Sequence, residues 1–387
     1  MKILIPTPIF PPEIGGPATY VSELAKRLSI EHEIVIITFT QDPQPTKNTK
    51  VVSISLHKHF LGILFRQLKL AAAIYKYGKN ADLIYAQGPV VVGFTAIIVG
   101  KILSTPTIVK FVGDIAWEEA ERRGKTTLGL EQFVKDDRKS VRIRLLQRAQ
   151  KLSLQWADKI VVPSEYLKKI LRQLYKIQTV KIEVIDNAVA MPKIKKDKKN
   201  RSKKTILASG RLVSHKRFDL VIQAFKALIE KMKKEEAKKL KLVIVGDGPE
   251  RKRLQALIHS EGLHGKVKLV GSLGKGKYYE RLASSELFVL ASSYEGLSHA
   301  IIEAMLLKVP VVASDIPGNR GAITNGKTGI LVPARVKNFA EAIQKMLTDE
   351  QFAERVSKNA KKNAQERFTW ETHLKRLVHL FRQELTR

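Results

Sequence analysis

The stretch SSYEGLSHAIIEAM, residues Ser292–Met305, joins a short apolar run to an apolar helical pattern. The run Leu287–Ala291 predicts a buried strand, and the helix is expected to begin near Ser298. The turn between them contains Glu295 and Gly296, and glycine lets a backbone approach a ligand closely. Because unpaired N–H groups at a helix start favour anions, the turn predicts a diphosphate site. The alternative is a capped turn whose acids are incidental.

A second acid, Glu303, lies eight residues after Glu295, inside the predicted helix. Eight helical residues would separate the two by about 12 Å. With that spacing one carboxylate can face a sugar while the other reaches a ribose.

Another loop with charged residues follows the predicted strand Thr205–Ser209. Its sequence ASGRLVSHKRF, Ala208–Phe218, places Arg211 and Lys216 where the strand gives way to a helix. Two cations there suit a diphosphate whose charge grows as it leaves. Ordinary loop charge in a basic protein is the alternative.

The loop GDGPER, residues 246–251, has an arginine where a dinucleotide fingerprint has its third glycine, and we interpret it as a turn.

The rest of the chain alternates short apolar runs with amphipathic stretches. Strands are predicted in the first half at Lys2–Pro6, His32–Phe39, Val51–Leu56, Asp82–Ala86, Thr107–Phe111, Asp158–Pro163 and Ile182–Ile185. In the second half they are predicted at Thr205–Ser209, Lys241–Val245, Val267–Val270, Leu287–Ala291 and Val311–Ser314. Helices are predicted at Pro17–Leu28, Phe218–Met232, Pro249–Glu261, Tyr278–Ser285, Ser298–Leu307 and Trp370–Leu385. This alternation favours two doubly wound parallel sheets, which bind ligands beyond the carboxyl ends of their strands.

A change of composition separates the two series. The run KIKKDKKNRSKK, Lys193–Lys204, has one apolar residue and reads as an exposed linker. We therefore expect an N-terminal domain over residues 1–192, a linker over 193–204, a nucleotide-binding domain over 205–368 and a terminal helical segment over 369–387. In the first domain PPEIGGP, Pro11–Pro17, places Gly15 and Gly16 before a helix start, where backbone can approach a phosphate or sugar. Paired glycines are also common in loops that bind nothing.

Composition narrows the class of protein. The absence of cysteine excludes disulfides, thiolate metal sites and cysteine nucleophiles. No Asp-x-Asp pair occurs, and no acid or histidine cluster has metal-ligand spacing, so neither a metal nor another cofactor is expected. The sequence has no signal-peptide pattern and no apolar run of the roughly 18–20 residues that cross a bilayer. We expect a cytoplasmic protein, compatible with a peripheral position on the inner face of the cytoplasmic membrane.

The balance of 69 basic against 37 acidic residues gives a formal net charge of +32. Three interpretations stay open: a lysine-rich solvated surface, an anionic membrane or lipid-linked acceptor, and nucleic acid. No interleaved aromatic and basic platform supports nucleic acid, and none is expected as a partner. Residues 43–81 contain no acid, and His57–Lys79 mixes apolar side chains with cations; Arg138–Lys151 is similarly basic. These stretches fit interfacial helices or core helices with a solvated cationic face.

Taken together, these loops resemble the family-4 glycosyltransferases, retaining enzymes whose two Rossmann-like domains face each other across a cleft in the GT-B fold. The resemblance covers essentially the whole chain. It implies a metal-independent hexosyltransferase that moves a sugar from a UDP- or GDP-linked donor to a glycan or lipid-linked acceptor. It also implies that the terminal helix crosses back to the first domain. A sugar-nucleotide epimerase or sugar-phosphate synthase on the same fold, and a polyanion-binding protein, are the alternatives.

The resemblance also implies roles for individual residues. Glu295 and Glu303 correspond to the family's E-x7-E motif, in which the first acid contacts the donor sugar and the second holds the ribose hydroxyls. Further matches are the diphosphate-clamping cations Arg211 and Lys216, the phosphate-binding backbone of Gly296, Leu297 and Ser298, and the N-terminal glycine loop of Gly15 and Gly16.

One segment departs from the family pattern. Many members have a histidine directly before a glycine at the end of an N-terminal strand. Here the segment is KFVGDIAW, Lys110–Trp117, with Val112 at that position and Asp114 after the glycine. Asp114 is a candidate to hold an acceptor hydroxyl or to accept its proton. A turn-stabilising aspartate is the alternative.

Overall fold

The computed structural model describes residues 1–13, 15–44, 48–55, 60–190 and 204–386, without the side chains of Phe60 and Leu61. Two compact units account for these residues. Unit 1 comprises Met1–Ile185 and Arg376–Arg387, and unit 2 comprises Asp186–Lys375. The predicted linker 193–204 lies outside the described residues except for Lys204, which begins a strand.

Unit 1 contains a seven-stranded parallel sheet. The strands are β1 (Lys2–Thr7), β2 (Glu33–Thr38), β3 (Thr49–Ser53), β4 (Leu83–Gln87), β5 (Thr107–Lys110), β6 (Lys159–Val162) and β7 (Ile182–Val184). Their order in the sheet is β3-β2-β1-β4-β5-β6-β7. The helices are α1 (Gly16–Leu28), α2 (Phe60–Gly78), α3 (Phe94–Leu103), α4 (Ile115–Arg122), α5 (Leu130–Lys135), α6 (Val141–Trp156) and α7 (Glu165–Gln173).

Unit 2 contains a six-stranded parallel sheet in the equivalent order, β10-β9-β8-β11-β12-β13. Its strands are β8 (Lys204–Ser209), β9 (Leu240–Val245), β10 (Val267–Leu269), β11 (Leu287–Leu290), β12 (Val311–Ser314) and β13 (Ile330–Val332). Its helices are α8 (Phe218–Lys231), α9 (Lys234–Lys239), α10 (Arg251–Ser260), α11 (Lys275–Ala283), α12 (His299–Leu306), α13 (Pro317–Arg320), α14 (Val336–Thr348) and α15 (Glu350–Arg367). The last helix, α16 (Trp370–Leu385), begins in unit 2, and its residues from Arg376 onward belong to unit 1.

The predicted fold class, two doubly wound parallel sheets, is confirmed. Every predicted strand is present, with ends that agree or differ by at most three residues. Strand β13 was not predicted, because three residues carry too little pattern to stand out from a loop.

The alternation of side chains along each strand explains how the sheet of unit 2 is buried on both faces. Ile206 and Ala208 of β8 pack into one apolar core with helices α8, α10 and α14. Leu207, between them in sequence, points to the opposite core, which includes residues of α12 and α15. Successive strand residues face opposite sides, so a nearly continuous apolar run supplies both cores at once.

The strand order reverses between β1 and β4 in unit 1 and between β8 and β11 in unit 2. In unit 2 these neighbours pair in parallel, with Leu287 opposite Ile206 and Phe288 opposite Leu207. The loops that follow β8 and β11 therefore leave the same edge of the sheet side by side. Such reversal points are where doubly wound sheets bind ligands. Among the described residues, no helix is both long and apolar enough to cross a membrane.

Candidate functional site

The loops after β8 and β11 are joined by direct contacts. Lys216 lies in a short 3-10 turn after β8, and its Nζ is 2.6 Å from Oε1 of Glu295, in the loop after β11. The backbone N–H of Ser293 donates to the carbonyl of His215 at 2.7 Å. The structure thus brings together two of the predicted site residues, which are 79 positions apart in sequence.

Glu295 is held at one carboxylate oxygen. Oε1 accepts hydrogen bonds from Lys216 and from the hydroxyl of Ser292, the latter at 2.7 Å. Only 10% of the Glu295 side chain and 18% of the Lys216 side chain are exposed. Within the described part of the chain, Oε2 has no hydrogen-bond partner. One oxygen therefore orients the carboxylate while the other is available to a ligand.

The backbone of Glu295 rests on Gly318 in α13. A Cβ atom at position 318 would lie 1.9 Å from the carbonyl oxygen of Glu295, so no other residue fits there without a backbone shift. Asn319 donates to the carbonyl of Ser314 at 2.9 Å, and the Ser314 hydroxyl donates to the carbonyl of Ser292. Sequence reasoning missed these supports. The available signal was the glycine in a loop directly after the predicted strand Val311–Ser314.

Residues 296–298 lead from Glu295 into α12. Leu297 and Ser298 are buried, Gly296 is half-buried, and the helix begins at His299. Only the last part of the stretch between Glu295 and Glu303 is helical, so the spacing expected for eight helical residues does not apply. The phosphate-binding role of these three backbone N–H groups stays a prediction.

Glu303 is half-buried in α12 beside two tyrosines. The hydroxyl of Tyr279 donates to its Oε1 at 3.2 Å, and the hydroxyl of Tyr278 lies 3.0 Å from the hydroxyl of Ser209 at the end of β8. Burial raises the pKa of Glu303 to about 7, although the tyrosine hydrogen bonds and the charge of Lys275 act in the opposite direction. The carboxyl therefore titrates near neutral pH. The tyrosines were missed because they appeared only as the start of a predicted helix.

Arg211 is exposed in the loop after β8, and its guanidinium makes no hydrogen bond or ion pair within the described residues. The GDGPER segment supports this loop from behind. A Cβ atom on Gly246 would lie 1.9 Å from the carbonyl oxygen of Gly210, and one on Gly248 would lie 2.4 Å from that of Leu212. These glycines allow backbone contact between two loops, which agrees with the interpretation of the segment as a turn.

The glycine pair of unit 1 lies at the start of α1. Gly15 is the N-cap, Gly16 is the first helical residue, and a proline follows in the first turn. A Cβ atom on Gly15 would lie 2.6 Å from the side chain of Ile9, whereas one on Gly16 would meet nothing within 4 Å. Gly15 is thus packed on the loop after β1, whereas the space beside Gly16 is open to a ligand.

Asp114 is fully buried and caps α4. Its Oδ1 accepts from the backbone N–H of Trp117 at 2.9 Å, and its Oδ2 accepts from Gln150 at 3.0 Å and from the hydroxyl of Tyr175. Burial raises the pKa of this carboxyl. Both oxygens are used within the fold, which favours the turn-stabilising alternative. Val112, two residues earlier, is 47% exposed. A catalytic role for Asp114 stays a prediction.

A buried lysine that sequence reasoning missed ends β5. The Lys110 Nζ lies 3.2 Å from the centre of the Tyr20 ring, and it has no hydrogen-bond partner among the described residues. Burial lowers its pKa well below the usual range. The Tyr20 hydroxyl is 3.3 Å from that of Tyr85 in β4. The aromatic face takes the place of hydrogen-bond acceptors around this amine.

A search of the described residues finds no group of three or more acids and histidines that could hold a metal ion. The expected independence of a metal stays a prediction.

Two family models match adjoining parts of the chain. Residues 14–191 match the model described as Glycosyltransferase Family 4, and residues 191–363 match the model described as Glycosyl transferases group 1. The first model covers most of unit 1, and the second covers most of unit 2.

Curated relatives agree with the family models. The alpha-D-kanosaminyltransferase of Streptomyces kanamyceticus is 34% identical over 156 residues, which are 40% of this chain and 39% of that protein. The chain thus spans well under two thirds of that relative. An uncharacterized glycosyltransferase of Methanocaldococcus jannaschii is 26% identical over 406 aligned residues, covering 99% of this chain and 98% of the relative.

Solved structures share the fold. Sucrose-phosphate synthase from Thermosynechococcus elongatus aligns with a TM-score of 0.79 at 20% identity, covering 100% of this chain and 99% of that one. The structure of HepE from Anabaena in complex with UDP-glucose aligns with a TM-score of 0.78 at 20% identity, covering 99% and 100%. At these identities the likeness concerns the fold, which is GT-B.

Proposed function

We propose, from the premise that this chain belongs to family 4 of the glycosyltransferases, that it transfers a sugar from a nucleoside-diphosphate sugar to a glycan or lipid-linked acceptor, with retention of configuration. The observation that carries the proposal is the Lys216–Glu295 pair at the reversal point of the unit 2 sheet, 2.6 Å between Nζ and Oε1. It sets a cation and a carboxylate beside each other where a doubly wound sheet binds its ligand.

The donor sugar lies, in this proposal, against Glu295. Oε2 of the carboxylate accepts a sugar hydroxyl while Ser292 and Lys216 hold Oε1. The ribose hydroxyls donate to Glu303. The complexes of HepE with UDP and with UDP-glucose make UDP the first nucleotide to test, ahead of GDP.

The reaction breaks the bond between the sugar and the diphosphate, which leaves with the bonding electrons. The acceptor hydroxyl forms the new bond on the face that the diphosphate vacates, and its proton passes to an oxygen of the leaving diphosphate. Negative charge grows on the leaving diphosphate, and Arg211 and Lys216 stabilise it, since preorganised cations lower the barrier where charge develops. For this reason we propose a metal-independent reaction, whose rate is the same with and without EDTA.

The acceptor side of the proposal rests on unit 1. Its excess of cations fits an anionic glycan or a lipid-linked acceptor, and with it a peripheral position on the inner face of the cytoplasmic membrane. The backbone at Gly15 and Gly16 is assigned to the reacting phosphate and sugar, because the open approach to Gly16 leaves room for a ligand.

A thermal-shift screen tests the donor side. We expect UDP and UDP-sugars to raise the melting temperature of the full chain, since a ligand at about 100 times its Kd adds about 2.7 kcal/mol of stability. Replacement of Arg211 with Ala is expected to reduce that shift by more than half, because an exposed cation that contacts the diphosphate is lost. Lys358→Ala, an exposed lysine on α15, removes the same charge far from the loops and is the matched control.

Two results would contradict the proposal. The first is the absence of a shift with UDP, GDP and ADP and their sugar conjugates. The second is conversion of a donor to its epimer without an acceptor, which would indicate an epimerase on the same fold. Inversion at the transferred carbon, measured by NMR of the product, would remove the retaining mechanism but leave the transfer itself.

A further inference from the structure

Most of the large apolar side chains that are exposed within the described residues lie on three helices of unit 1. Those of α2 are Ile63, Leu64, Phe65, Leu68 and Tyr75, those of α3 are Ile98 and Ile102, and those of α6 are Val141, Leu145, Leu152 and Trp156. The first four are between 50% and 59% exposed. No large apolar side chain is exposed among the described residues of unit 2. A clustering of this kind marks an interaction surface.

The three helices pack side by side in one layer. The hydroxyl of Thr95 in α3 donates to the side-chain oxygen of Gln67 in α2 at 2.6 Å. On the other side of α3, the Phe94 ring stacks on Trp156 of α6, with ring centres 5.9 Å apart. The helix α3 therefore lies between α2 and α6, so the sides of these helices that face away from the sheet adjoin one another.

The exposed apolar residues form stripes at helical spacing. On α2, Leu64, Leu68 and Tyr75 follow the spacing i, i+4, i+11, and on α6 Val141, Leu145 and Leu152 follow the same spacing. Residues at these intervals lie on one side of a helix. The stripe on each helix is thus turned away from the buried stripe that packs on the sheet. We call the outer side of α2, α3 and α6 the docking face.

The charged side chains of the three helices are all basic, although one of them, Arg142, pairs with Glu119 of α4 at 3.4 Å. Neither α2, α3 nor α6 contains an acidic residue. Exposed cations flank the apolar stripes on all three helices: Lys69, Lys76, Lys101, Arg142, Arg144, Arg148 and Lys151. Apolar side chains that insert at a bilayer interface, surrounded by cations that reach anionic headgroups, are the pattern of interfacial helices.

We propose that the docking face binds the surface of an anionic lipid bilayer, with the apolar stripes at the level of the acyl chains and the cations on the headgroups. Like charges would oppose a second copy of the same face. Nucleic acid fits less well, because aliphatic side chains offer no stacking platform for bases. This inference rests on the proposed function, which includes a peripheral position at the cytoplasmic membrane, and it adds which surface of the protein binds and which kind of lipid it binds.

Vesicle binding of the full chain tests the proposal. We expect the protein to co-float with vesicles of equal parts phosphatidylglycerol and phosphatidylcholine, and not with phosphatidylcholine alone. The double variant Leu64→Glu/Leu145→Glu should bind the anionic vesicles at least about tenfold more weakly, since two apolar side chains no longer insert. The matched control, Ile30→Glu/Leu385→Glu, makes the same charge change at exposed apolar positions outside the docking face and should bind as wild type does.

Tryptophan fluorescence gives a second measurement that needs no destabilising change. Of the three tryptophans, Trp117 and Trp370 are buried and Trp156 is 43% exposed on the docking face. Lipids brominated on the acyl chain should quench the wild-type emission, and the variant Trp156→Phe should lose the quenchable part.

Several outcomes would overturn the proposal. These are no binding to anionic vesicles, equal loss of binding in both double variants, or binding that vanishes at high salt without quenching of Trp156. A dimer that the Leu64→Glu/Leu145→Glu variant converts to a monomer would identify a second copy as the occupant. The UDP-induced thermal shift should be unchanged in both double variants, so a failure here is distinct from a failure of the donor site.

Discussion

Units 1 and 2 have the same strand order around their reversal points, yet their carboxyl edges hold charged groups in opposite ways. In unit 2, Glu295 keeps one oxygen of its carboxylate outside the internal hydrogen bonds while Lys216 and Ser292 fix the other. In unit 1, both carboxylate oxygens of Asp114 accept hydrogen bonds, from Trp117, Gln150 and Tyr175. In a doubly wound sheet the loops at the carboxyl edge can carry charged side chains. Whether such a side chain can bind a ligand depends on how many of its polar atoms are already hydrogen-bonded within the fold.

The surfaces of the two units differ as well. Unit 1 presents the apolar and basic docking face, whereas the described residues of unit 2 bury their large apolar side chains. This difference supports the proposals that unit 2 binds the donor and that unit 1 contacts a membrane surface. Three changes test this division, in order of decreasing expected effect.

The largest effect is expected from Gly318→Ala in unit 2. The new methyl group would lie 1.9 Å from the carbonyl oxygen of Glu295, so the loop must shift. A displacement of about 1 Å at a positioning group costs about a hundredfold in rate, and we expect that loss in kcat/KM for sugar transfer. Gly276→Ala, in α11, is the control, because a Cβ there meets nothing within 4 Å. A Gly318→Ala enzyme with the wild-type kcat/KM would show that the Glu295 loop is not part of the site.

An effect of intermediate size is expected in unit 1, where Asp114→Ala should lower the stability of the fold. Asp114→Ala removes a helix cap and leaves the buried groups of Gln150 and Tyr175 without their acceptor, at a cost of about 2 kcal/mol. The melting temperature should fall by roughly 4–8 °C, measured by calorimetry. The exposed Asp137→Ala should leave it unchanged.

Asp114→Asn separates the two roles of this residue. Asparagine is also a good N-cap, but its amide NH2 would face the donor groups of Gln150 and Tyr175 that Oδ2 now accepts from. If Asp114 is structural, the variant should therefore lose part of the melting temperature that the alanine variant loses and keep a near-normal transfer rate. An unchanged melting temperature together with a loss of kcat of tenfold or more would place Asp114 in catalysis and break the comparison between the units.

The smallest effect concerns pH and Glu303. Burial raises the pKa of Glu303 to about 7, and in the proposed donor site the ribose hydroxyls donate to its ionised carboxylate. The affinity for UDP should therefore rise as the pH increases through about 7, by up to about tenfold over two pH units. Titration calorimetry at several pH values measures this change, and Glu303→Gln should flatten it. A pH-independent affinity in the wild type would remove Glu303 from the ribose site.

In the absence of nucleotide, the stability of the folded chain should decrease as the pH rises, whereas the affinity for UDP should increase. The folded pKa lies above the ordinary value of 4.5, so the folded protein keeps a proton that the unfolded chain releases. The stability that this group confers is complete below pH 4.5 and is lost as the pH rises towards about 7. Thermal unfolding of the unliganded chain across this range, compared with Glu303→Gln, measures the difference.

The course of the chain could be predicted in detail because apolar runs and amphipathic helices are local patterns. The helix Trp370–Leu385 and the strand Val311–Ser314 were predicted with their observed bounds. The start of α12 was predicted within one residue, near Ser298 against His299 in the structure. The short edge strand β13 was missed because its three residues carry too little pattern to stand out from a loop.

The site could be predicted only by residue type. Glu295 and Lys216 were selected because acids and cations follow strand ends. Their 2.6 Å contact, however, spans 79 residues and depends on β8 and β11 being neighbours. The roles of Gly318 and Tyr279 were not predicted, because each acts through a residue of another element: Gly318 through the backbone of Glu295 and Tyr279 through the carboxylate of Glu303.

The sequence by itself determined the two series of strands and helices, the basic character of the chain and the residue types available at each strand end. These properties follow from side-chain periodicity and charge, which do not depend on distant residues. Only the tertiary structure decided that one carboxylate oxygen of Glu295 stays outside the internal hydrogen bonds, that both oxygens of Asp114 are used within the fold, and that α2, α3 and α6 expose apolar side chains on neighbouring helices. Burial and hydrogen-bond partners are set by residues far apart in sequence, so they exist only once the sheets have formed.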